Sequence, residues 1–515
     1  SGRVDWDAEL RRILPSVRAA RGRAEATTTI ITWLERVGPI DPCRPCAAVP
    51  ADAHLRPDID WIRDERTLGR ELSALLLRIH QNRRAVSAQH YVSFAPQIGN
   101  PVFSNETDPA GVMPLDGDIR LLALYRFWNI IEYWFPYRDL IEEDWDAVLG
   151  AFVPELWQAN EASAYRRSMM ALIARVHDTH ANLWSSLDVR PPVGTHRLPV
   201  TVRFIEGRAV VTGLLNQAPG LGSGFRVGDV IERIDGQRVD SLTAAWARYY
   251  AASNQPTRLR DMGRSLTQGT PGAARVRGER DGKPFQLSVA RMASDQVDQR
   301  AGRTHDLPGE AFQMLSEEVA YLKLSAVSAA QSADYIRKAA GARVLVIDIR
   351  NYPREFMVFE LGQHLVAKET PFARFTTSVA ANPGTFVWTP PVSLRPAQPH
   401  FAGSVVILVD ESSQSQAEYT TMAFRSAPNV LVVGSTTAGA DGNVSPIPLP
   451  GGLRSLISGI GVFYPDKRPT QRIGIVPDLV VRPTIAGIRE GRDEVLEAAV
   501  TRALGRTFRL LRLRT

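Results

Sequence analysis

A serine at the start of a predicted helix is the residue of this sequence best suited to chemistry. The apolar run 405–409 is typical of a strand buried on both faces; it stops at Asp410, and a helix is predicted from Ser415 to Arg425. The free N–H groups and positive dipole end of a helix N-terminus stabilise a developing oxyanion. Ser415 is therefore a candidate nucleophile, against the alternative of a plain helix N-cap. Ser412 and Ser413 are interpreted as loop hydroxyls.

The elements around Ser415 alternate between strand and helix. Strands are predicted at Val319–Leu324, Val344–Ile349 and Val430–Val433, with a helix over Ala329–Ala340, which indicates an α/β core over residues 305–515. Residues 1–110 are predicted to be a largely helical cap that ends in a connecting loop over 91–117. Residues 111–197 are predicted to be the helical part of the catalytic domain, with helices at Asp118–Tyr133, Asp144–Trp157 and Ala164–Val176.

Residues 198–292 differ from the flanking sequence because they contain several short β-like runs. The predicted strands are Pro199–Ile205, Ala209–Gly213, Val230–Ile234 and Phe285–Val289. The segment GLGSGFRVGDVIERIDGQRV, at 220–239, resembles the PDZ-domain sequence that carries a Gly-Asp turn, a short strand and an Asp-Gly hairpin turn. The Gly-Leu-Gly-Phe carboxylate loop of PDZ domains is absent, and 197–200 stand in its place.

Composition narrows the function classes. The 515 residues carry 61 Lys+Arg against 55 Asp+Glu, spread along the chain, so nucleic-acid binding is not indicated. No apolar run is long enough for a transmembrane helix. Cys43 and Cys46, the two cysteines, lie in a Pro-rich loop; we expect a disulfide formed in an oxidising compartment rather than a redox or zinc site.

Several motifs of 305–485 together are similar to those of the tail-specific, or C-terminal-processing, serine peptidases. Ser415-Gln416-Ala417-Glu418 resembles the family's S-x-x-E nucleophile motif, and the run 432–439 resembles its V-V-G-E-x-T-x-G segment. Residues 474–478 resemble its closing G-I-x-P-D signature, and Asp348-Ile349-Arg350-Asn351 its D-(L/I)-R-x-N segment. The resemblance implies an α+β or α/β multidomain fold: a helical N-terminal region, an embedded PDZ-like domain and a ββα-repeat, crotonase/ClpP-like core.

The resemblance also implies the general base. One branch of the family uses a lysine just after the second glycine of that segment, but this chain has Ala440 and then Asp441 there, and Lys467 is interpreted as a surface residue. The other branch, similar to the tricorn core proteases, uses a histidine in a D-x-H context. Asp178-Thr179-His180 matches that context, so His180 is the predicted base, whereas His177 is expected to cap or pack.

The residue that orients His180 stays open at this point. The histidine branch places a glutamate three residues before the closing glycine, where this chain has Gln471, with Asp178, Glu418 and Asp441 as alternatives. Glu418 also lies one helical turn from Ser415 and would brace the loop. The oxyanion donors implied are the N–H of Gln416 and a second from Asn351 or Tyr352, because Pro353 stands where the family has glycine.

These motifs predict a serine endopeptidase that hydrolyses polypeptide or peptide substrates without a metal or organic cofactor. The alternative is a catalytically inactive relative that binds hydrophobic ligands or peptides, since the lysine, the glutamate and the Gly-Gly pair are all replaced. We expect a bacterial protein with a periplasmic or secreted location and a removed export signal. A homo-oligomer, the natural substrate and the cleavage position stay open.

Overall fold

The computed structural model describes residues 4–40, 42–43, 46–82, 89–106, 115–215, 223–298 and 300–510. Within these ranges the α-helices are, from α1 to α14: Trp6–Ala19, Arg23–Val37, Glu65–Leu68, Arg70–Gln81, Gly117–Trp134, Trp145–Gln158, Ala162–Ala174, Val239–Trp246, Gln255–Ser265, Ser332–Ala339, Val358–Gly362, Gln416–Arg425, Ile485–Glu490 and Glu494–Leu504.

The strands of the same ranges are, from β1 to β23: Val92–Phe94, Pro101–Phe103, His196–Arg197, Val200–Ile205, Arg208–Leu214, Val230–Ile234, Gln237–Arg238, Gln268–Gly269, Ala273–Arg280, Lys283–Ala290, Met292–Ala293, Phe312–Ser316, Val319–Lys323, Val344–Asp348, Thr370–Ser378, Phe386–Trp388, Val392–Leu394, Ser404–Val409, Val430–Gly434, Val444–Leu449, Leu453–Ser458, Gly461–Phe463 and Leu479–Val480.

The N-terminal part is helical where the apolar period is 3.6 residues. Helices α5, α6 and α7 start at or within two residues of the predicted positions, and Asp116 and Asp144 cap the first two by accepting from backbone N–H groups. The prediction of a plain loop over 91–117 was wrong in part, because β1 and β2 pair there as an antiparallel hairpin. Their three-residue length and Pro101 hid the alternation that marks a strand.

The middle part contains a small antiparallel sheet in the order β10-β9-β6-β5-β4, with β7 paired to β6. Strand β4 lies at the sheet edge, and Gly263 of α9 approaches it so closely that an added Cβ would lie 2.9 Å from the Val202 carbonyl oxygen. The strand prediction Val230–Ile234 matches β6. Residues 220–222, which open the PDZ-like segment, lie outside the described residues.

The C-terminal part is built on a six-stranded mixed sheet in the order β12-β13-β14-β18-β19-β23, parallel from β13 to β23 and antiparallel at β12. Strands β13 and β14 are buried at every residue, as expected when helices cover both faces. The carboxyl ends of β14, β18 and β19 lie side by side, so the loops after them converge at one edge, where α/β folds bind their ligands.

The parts are packed against one another rather than joined only by chain. The hairpin β20–β21 of the C-terminal part contributes Ile447, Leu449 and Ile457 to the apolar core of helices α5–α7. This contact brings the segment after α7 next to the C-terminal part. Cys43 and Cys46 are disulfide-bonded, and residues 44–45 between them lie outside the described residues. None of the described helices has the length and apolar character needed to cross a bilayer.

Candidate active site

Ser415 lies in a strand-to-helix turn with a rare backbone conformation. Strand β18 ends at Val409, and Ser415 follows six residues later as the N-cap of α12. The φ of Ser415 is +56° and its ψ is −118°. A positive φ is unfavourable for a residue with a Cβ, so surrounding contacts must hold it. The Ser415 N–H donates to the Ala440 carbonyl at 2.9 Å and to Glu418 Oε2 at 3.1 Å, which fixes this turn.

Glu418 joins the serine turn to the loop after β19. Its fully buried carboxylate accepts from the N–H groups of Gly439 at 2.7 Å, Ala440 at 3.0 Å and Ser415, and from the Thr437 hydroxyl. Burial raises the pKa of Glu418, whereas these four donors lower it. The loop-bracing role predicted for Glu418 is the arrangement seen here.

His180 is held on its Nδ1 side. Nδ1 lies 2.9 Å from Ser458 Oγ and 3.6 Å from Asp178 Oδ1, and the same carboxylate accepts from the N–H of His180 and of Ser458. Burial lowers the pKa of His180, and Asp178 opposes that shift. The ring is therefore neutral near pH 7. His177 instead points Nε2 at Glu143 Oε1, 2.9 Å away.

Gln471, one of the four candidates for orienting His180, has its hydrogen bond with another segment. Its Oε1 faces the Asp441 N–H at 3.4 Å, while its Nε2 is buried without a hydrogen-bond partner. The reason is local: the Arg472 N–H donates to the Gly439 carbonyl at 2.7 Å, which ties the 470–474 turn to the 437–441 loop. The ring of His180 is oriented by Ser458 and Asp178 instead.

Asp441 stands close to the position where the family's other branch has its lysine. Its Oδ1 accepts from the Gly442 N–H at 2.8 Å, and its Oδ2 is buried without a partner. Burial, followed by the neighbouring charge of Glu418, raises the pKa of Asp441 well above its ordinary value. The shift keeps this carboxyl protonated to a higher pH than an exposed aspartate, and among the described residues no hydrogen bond joins it to His180.

Two side chains that the sequence did not mark lie near the serine and histidine groups. Tyr137 is fully buried and its hydroxyl accepts from the Val462 N–H at 2.6 Å; burial raises its pKa, and the charges of Asp441, Asp178 and Glu418 add to that shift. Arg260 donates to Gln414 Oε1 at 3.0 Å, and its charge lowers the pKa of the nearby His180. Neither residue, nor Ser458, carries a local sequence signal; each becomes visible only through the tertiary contact.

Ser415 Oγ and the His180 ring share no hydrogen bond among the described residues. Tyr352 is 56% exposed; burial of the rest of the side chain raises the pKa of its phenol, and the Ser415 side chain opposes that shift. The Gln416 N–H belongs to the first turn of α12, where no intrahelical acceptor exists. The Gln416 side chain donates to the Glu355 carbonyl at 2.8 Å.

The remaining candidate residues have structural contacts. Ser413 Oγ donates to the Ile349 carbonyl at 2.6 Å, and the Ser412 N–H donates to Asp410 Oδ1 at 2.8 Å, so both belong to the loop. Lys467 Nζ lies 5.0 Å from the centroid of the Trp388 ring. Among the second-donor candidates, the Asn351 side chain donates to Asp306 Oδ2.

One group of described residues has metal-ligand side chains. His305, Asp410 and Glu411 place one potential ligand atom each within 4.8 Å of one another. Arg203 donates to Glu411 Oε1 at 2.8 Å and lies 3.5 Å from Asp410 Oδ2, and His305 is itself hydrogen-bonded to Asp410. The guanidinium already supplies the positive charge that a metal ion would bring.

Comparisons with known proteins concern the family and the fold of the chain. Residues 363–481 match the model of Peptidase family S41. A mutant of CPAF aligns with a TM-score of 0.60 at 14% identity over 77% of this chain and 99% of that chain. Mature CPAF complexed with lactacystin aligns with a TM-score of 0.57 at 14% identity over 73% and 95%. These likenesses concern the fold, and no curated protein sequence matches the chain significantly.

Proposed function

Because the match to Peptidase family S41 identifies this protein as a serine peptidase, a hydrolase, we propose that Ser415 is its nucleophile and His180 its general base. The observation that carries the assignment is the Ser415 turn, whose positive φ is maintained by the Glu418 carboxylate and the Ala440 carbonyl. A strained non-glycine residue at a helix N-terminus is retained where it positions a reactive group.

The proposed reaction is acyl transfer to water. His180 Nε2 takes the proton of Ser415 Oγ, and Oγ forms a bond to the substrate carbonyl carbon. The imidazolium returns that proton to the amide nitrogen as the C–N bond breaks, and water then repeats the sequence on the acyl-enzyme. Asp178 and Ser458 hold Nδ1, so Nε2 is the nitrogen left for this exchange.

The oxyanion is proposed to bind the Gln416 N–H and a second donor from the Tyr352 segment. The hydrogen bond between Ser415 and His180 would form when substrate is bound. Catalytic hydrogen bonds that are long in a free enzyme commonly tighten in the substrate complex. Gln471 and Asp441 would support the loop rather than the imidazole.

Residues 198–292 are proposed to act as a PDZ-like substrate-binding domain for polypeptides processed near their C-termini. Strand β4 is an edge strand next to α9, and a cleft of about 380 Å³ runs along both toward the loops around Glu411 and Ser435. The cleft lined by β4 and α9, rather than the β4 backbone that Gly263 approaches, is the proposed peptide-binding surface. The Cys43–Cys46 disulfide supports a periplasmic or secreted location for the enzyme.

A serine-reactive fluorophosphonate probe tests the assignment. We expect the wild-type protein to be labelled at Ser415, located by peptide mass mapping, and to lose labelling in Ser415→Ala. Ser412→Ala is the matched control, because it removes a neighbouring loop hydroxyl and should leave labelling intact. A folded wild-type protein that resists the probe and cleaves no protein substrate would contradict the proposal and favour a peptide- or ligand-binding relative.

A further inference from the structure

An exposed group of aromatic rings lies beside Ser415 and includes Tyr352, whose backbone segment is a proposed source of an oxyanion donor. We define the aromatic patch as Tyr352, Phe356, Phe359, Phe372 and Tyr419. Phe356 is 48% exposed and Phe359 41% exposed, although Phe372 beneath them is buried. The Phe356 ring lies 6.0 Å from Phe359 and 6.3 Å from Tyr419, and Tyr419 lies 5.2 Å from Phe372. Four of the five rings, those of Phe356, Phe359, Phe372 and Tyr419, therefore form one continuous apolar surface with a buried floor.

Backbone and side-chain hydrogen bonds of the first turn of α12 connect the aromatic patch to Ser415. The Tyr419 N–H donates to the Ser415 carbonyl at 3.0 Å, so its ring stands one helical turn from the serine. The Gln416 side chain holds the Glu355 carbonyl, immediately before Phe356. Tyr352, at the other end of the loop, is near Ser415, since burial raises the pKa of its phenol and the Ser415 side chain lowers it. A substrate carbonyl placed at Ser415 would bring its neighbouring side chain to these rings.

The chemistry of the patch selects the kind of side chain. None of the five rings carries a charge at neutral pH, because burial raises the pKa of the phenols of Tyr352 and Tyr419. Exposed contiguous aromatic surface is unfavourable in water unless a ligand covers it. Aromatic rings stack best with other flat or large apolar groups.

We propose that the aromatic patch is the subsite that receives a large apolar, preferably aromatic, substrate side chain adjacent to the scissile peptide bond. The inference rests on the proposed function of Ser415. It assigns the substrate class of that site: cleavage is directed to peptide bonds next to phenylalanine, tyrosine, tryptophan or leucine, rather than to bonds between small or charged residues.

The test measures peptide binding without turnover. Two fluorescent decapeptide pools, randomised except for a central Phe in one and a central Ala in the other, are titrated against the Ser415→Ala protein by fluorescence anisotropy. We expect the Phe pool to bind about tenfold more tightly, as partial burial of an aromatic side chain provides. This ratio should fall toward one when Phe356→Ala or Phe359→Ala is added. Met314→Ala, which removes an equally exposed residue, 48%, from strand β12, should leave it unchanged.

Equal binding of the two pools, or a ratio that survives both phenylalanine substitutions, overturns the subsite. A Phe356→Ala protein that changes from dimer to monomer in sedimentation, with its pool ratio intact, identifies a subunit interface instead and also overturns it. The fluorophosphonate experiment separates the two proposals. Labelling of Ser415 without a pool ratio rejects only the subsite, whereas a ratio without labelling rejects only the peptidase assignment.

Discussion

Replacing Asp441 by asparagine should stabilise the protein at neutral pH and have no such effect in acid. The Asp441 side chain is 3% exposed, with Oδ1 bonded to the Gly442 N–H and Oδ2 without a partner. Asparagine keeps the accepting oxygen and places an NH₂ group where the neutral acid has its OH. The variant therefore reproduces the protonated form of the native side chain at every pH.

The direction in which stability changes with pH follows from proton linkage. In the unfolded chain an aspartate releases its proton at about pH 3.9, whereas native Asp441 keeps it to a higher pH, because its pKa is raised by burial and by Glu418. Between these two pKa values the native state binds more protons, so stability is greatest below the unfolded pKa and decreases as pH rises toward the native pKa. The loss is at most about 1.4 kcal/mol per pH unit across that interval.

The assay is calorimetric unfolding of wild type and Asp441→Asn at about pH 4, 6 and 7.5, with the exposed Asp52→Asn as control. For a cooperative unit the size of the C-terminal part, 1 kcal/mol corresponds to about 2–4 °C in Tm. We expect the variant's Tm advantage to grow by several degrees from the lowest to the highest pH. A variant that is less stable at every pH would show that Asp441 is ionised and structurally needed, which would refute the reasoning.

Asp178→Asn should lower kcat/KM by about a hundredfold or more, because an uncharged side chain no longer stabilises the imidazolium. Gln471→Ala, measured in parallel, should lower kcat/KM by less than about tenfold. A larger loss in Gln471→Ala than in Asp178→Asn would identify Gln471 as the orienting group. The acid limb of kcat/KM should fall below the ordinary histidine pKa of about 6.5, since burial lowers the pKa of His180, and should move further down in Asp178→Asn; a limb above pH 7 would contradict this. Glu418→Gln should reduce fluorophosphonate labelling of Ser415 and lower the free energy of unfolding by about 1–3 kcal/mol. The reason is that an amide leaves at least one of the four hydrogen-bond donors to Glu418 unpaired. Unchanged labelling would contradict the role assigned to Glu418.

The parts of the fold that the sequence predicted well are those with a strong local pattern. Strand β18 and helix α12 follow directly from an apolar run and an N-cap serine, and both lie within a residue of their predicted bounds. Helix α9 was not predicted: its residues Gln255–Ser265 are mostly polar, and packing against β4 stabilises it. Tertiary contact, rather than periodicity, decides such an element.

In the candidate site, too, the residues marked by local motifs were predicted and those placed by tertiary contact were not. The nucleophile motif and the D-x-H motif are short segments whose residues act near their own position in the chain. The partner of His180 is different in kind, since Ser458 is 278 positions away and lies at the end of a β-hairpin strand. Gln471 became a candidate through its spacing to a family motif. Spacing cannot predict the orientation of its amide, which depends on the hydrogen bond that ties its loop to Gly439.

The replacements at 440–441 and 471 are consistent with one another once their surroundings are considered. A lysine at this depth would require the charge of Glu418, but that carboxylate already accepts from four donors of the serine turn and its supporting loop. The raised pKa of Asp441 and the uncharged amide of Gln471 limit negative charge in this buried region, whereas a glutamate at 471 would place a third carboxyl beside Asp441 and Glu418. Asp178, whose Oδ1 lies 3.6 Å from His180 Nδ1, instead provides the acidic group that faces the imidazole from a different loop, separate from Glu418 and Asp441.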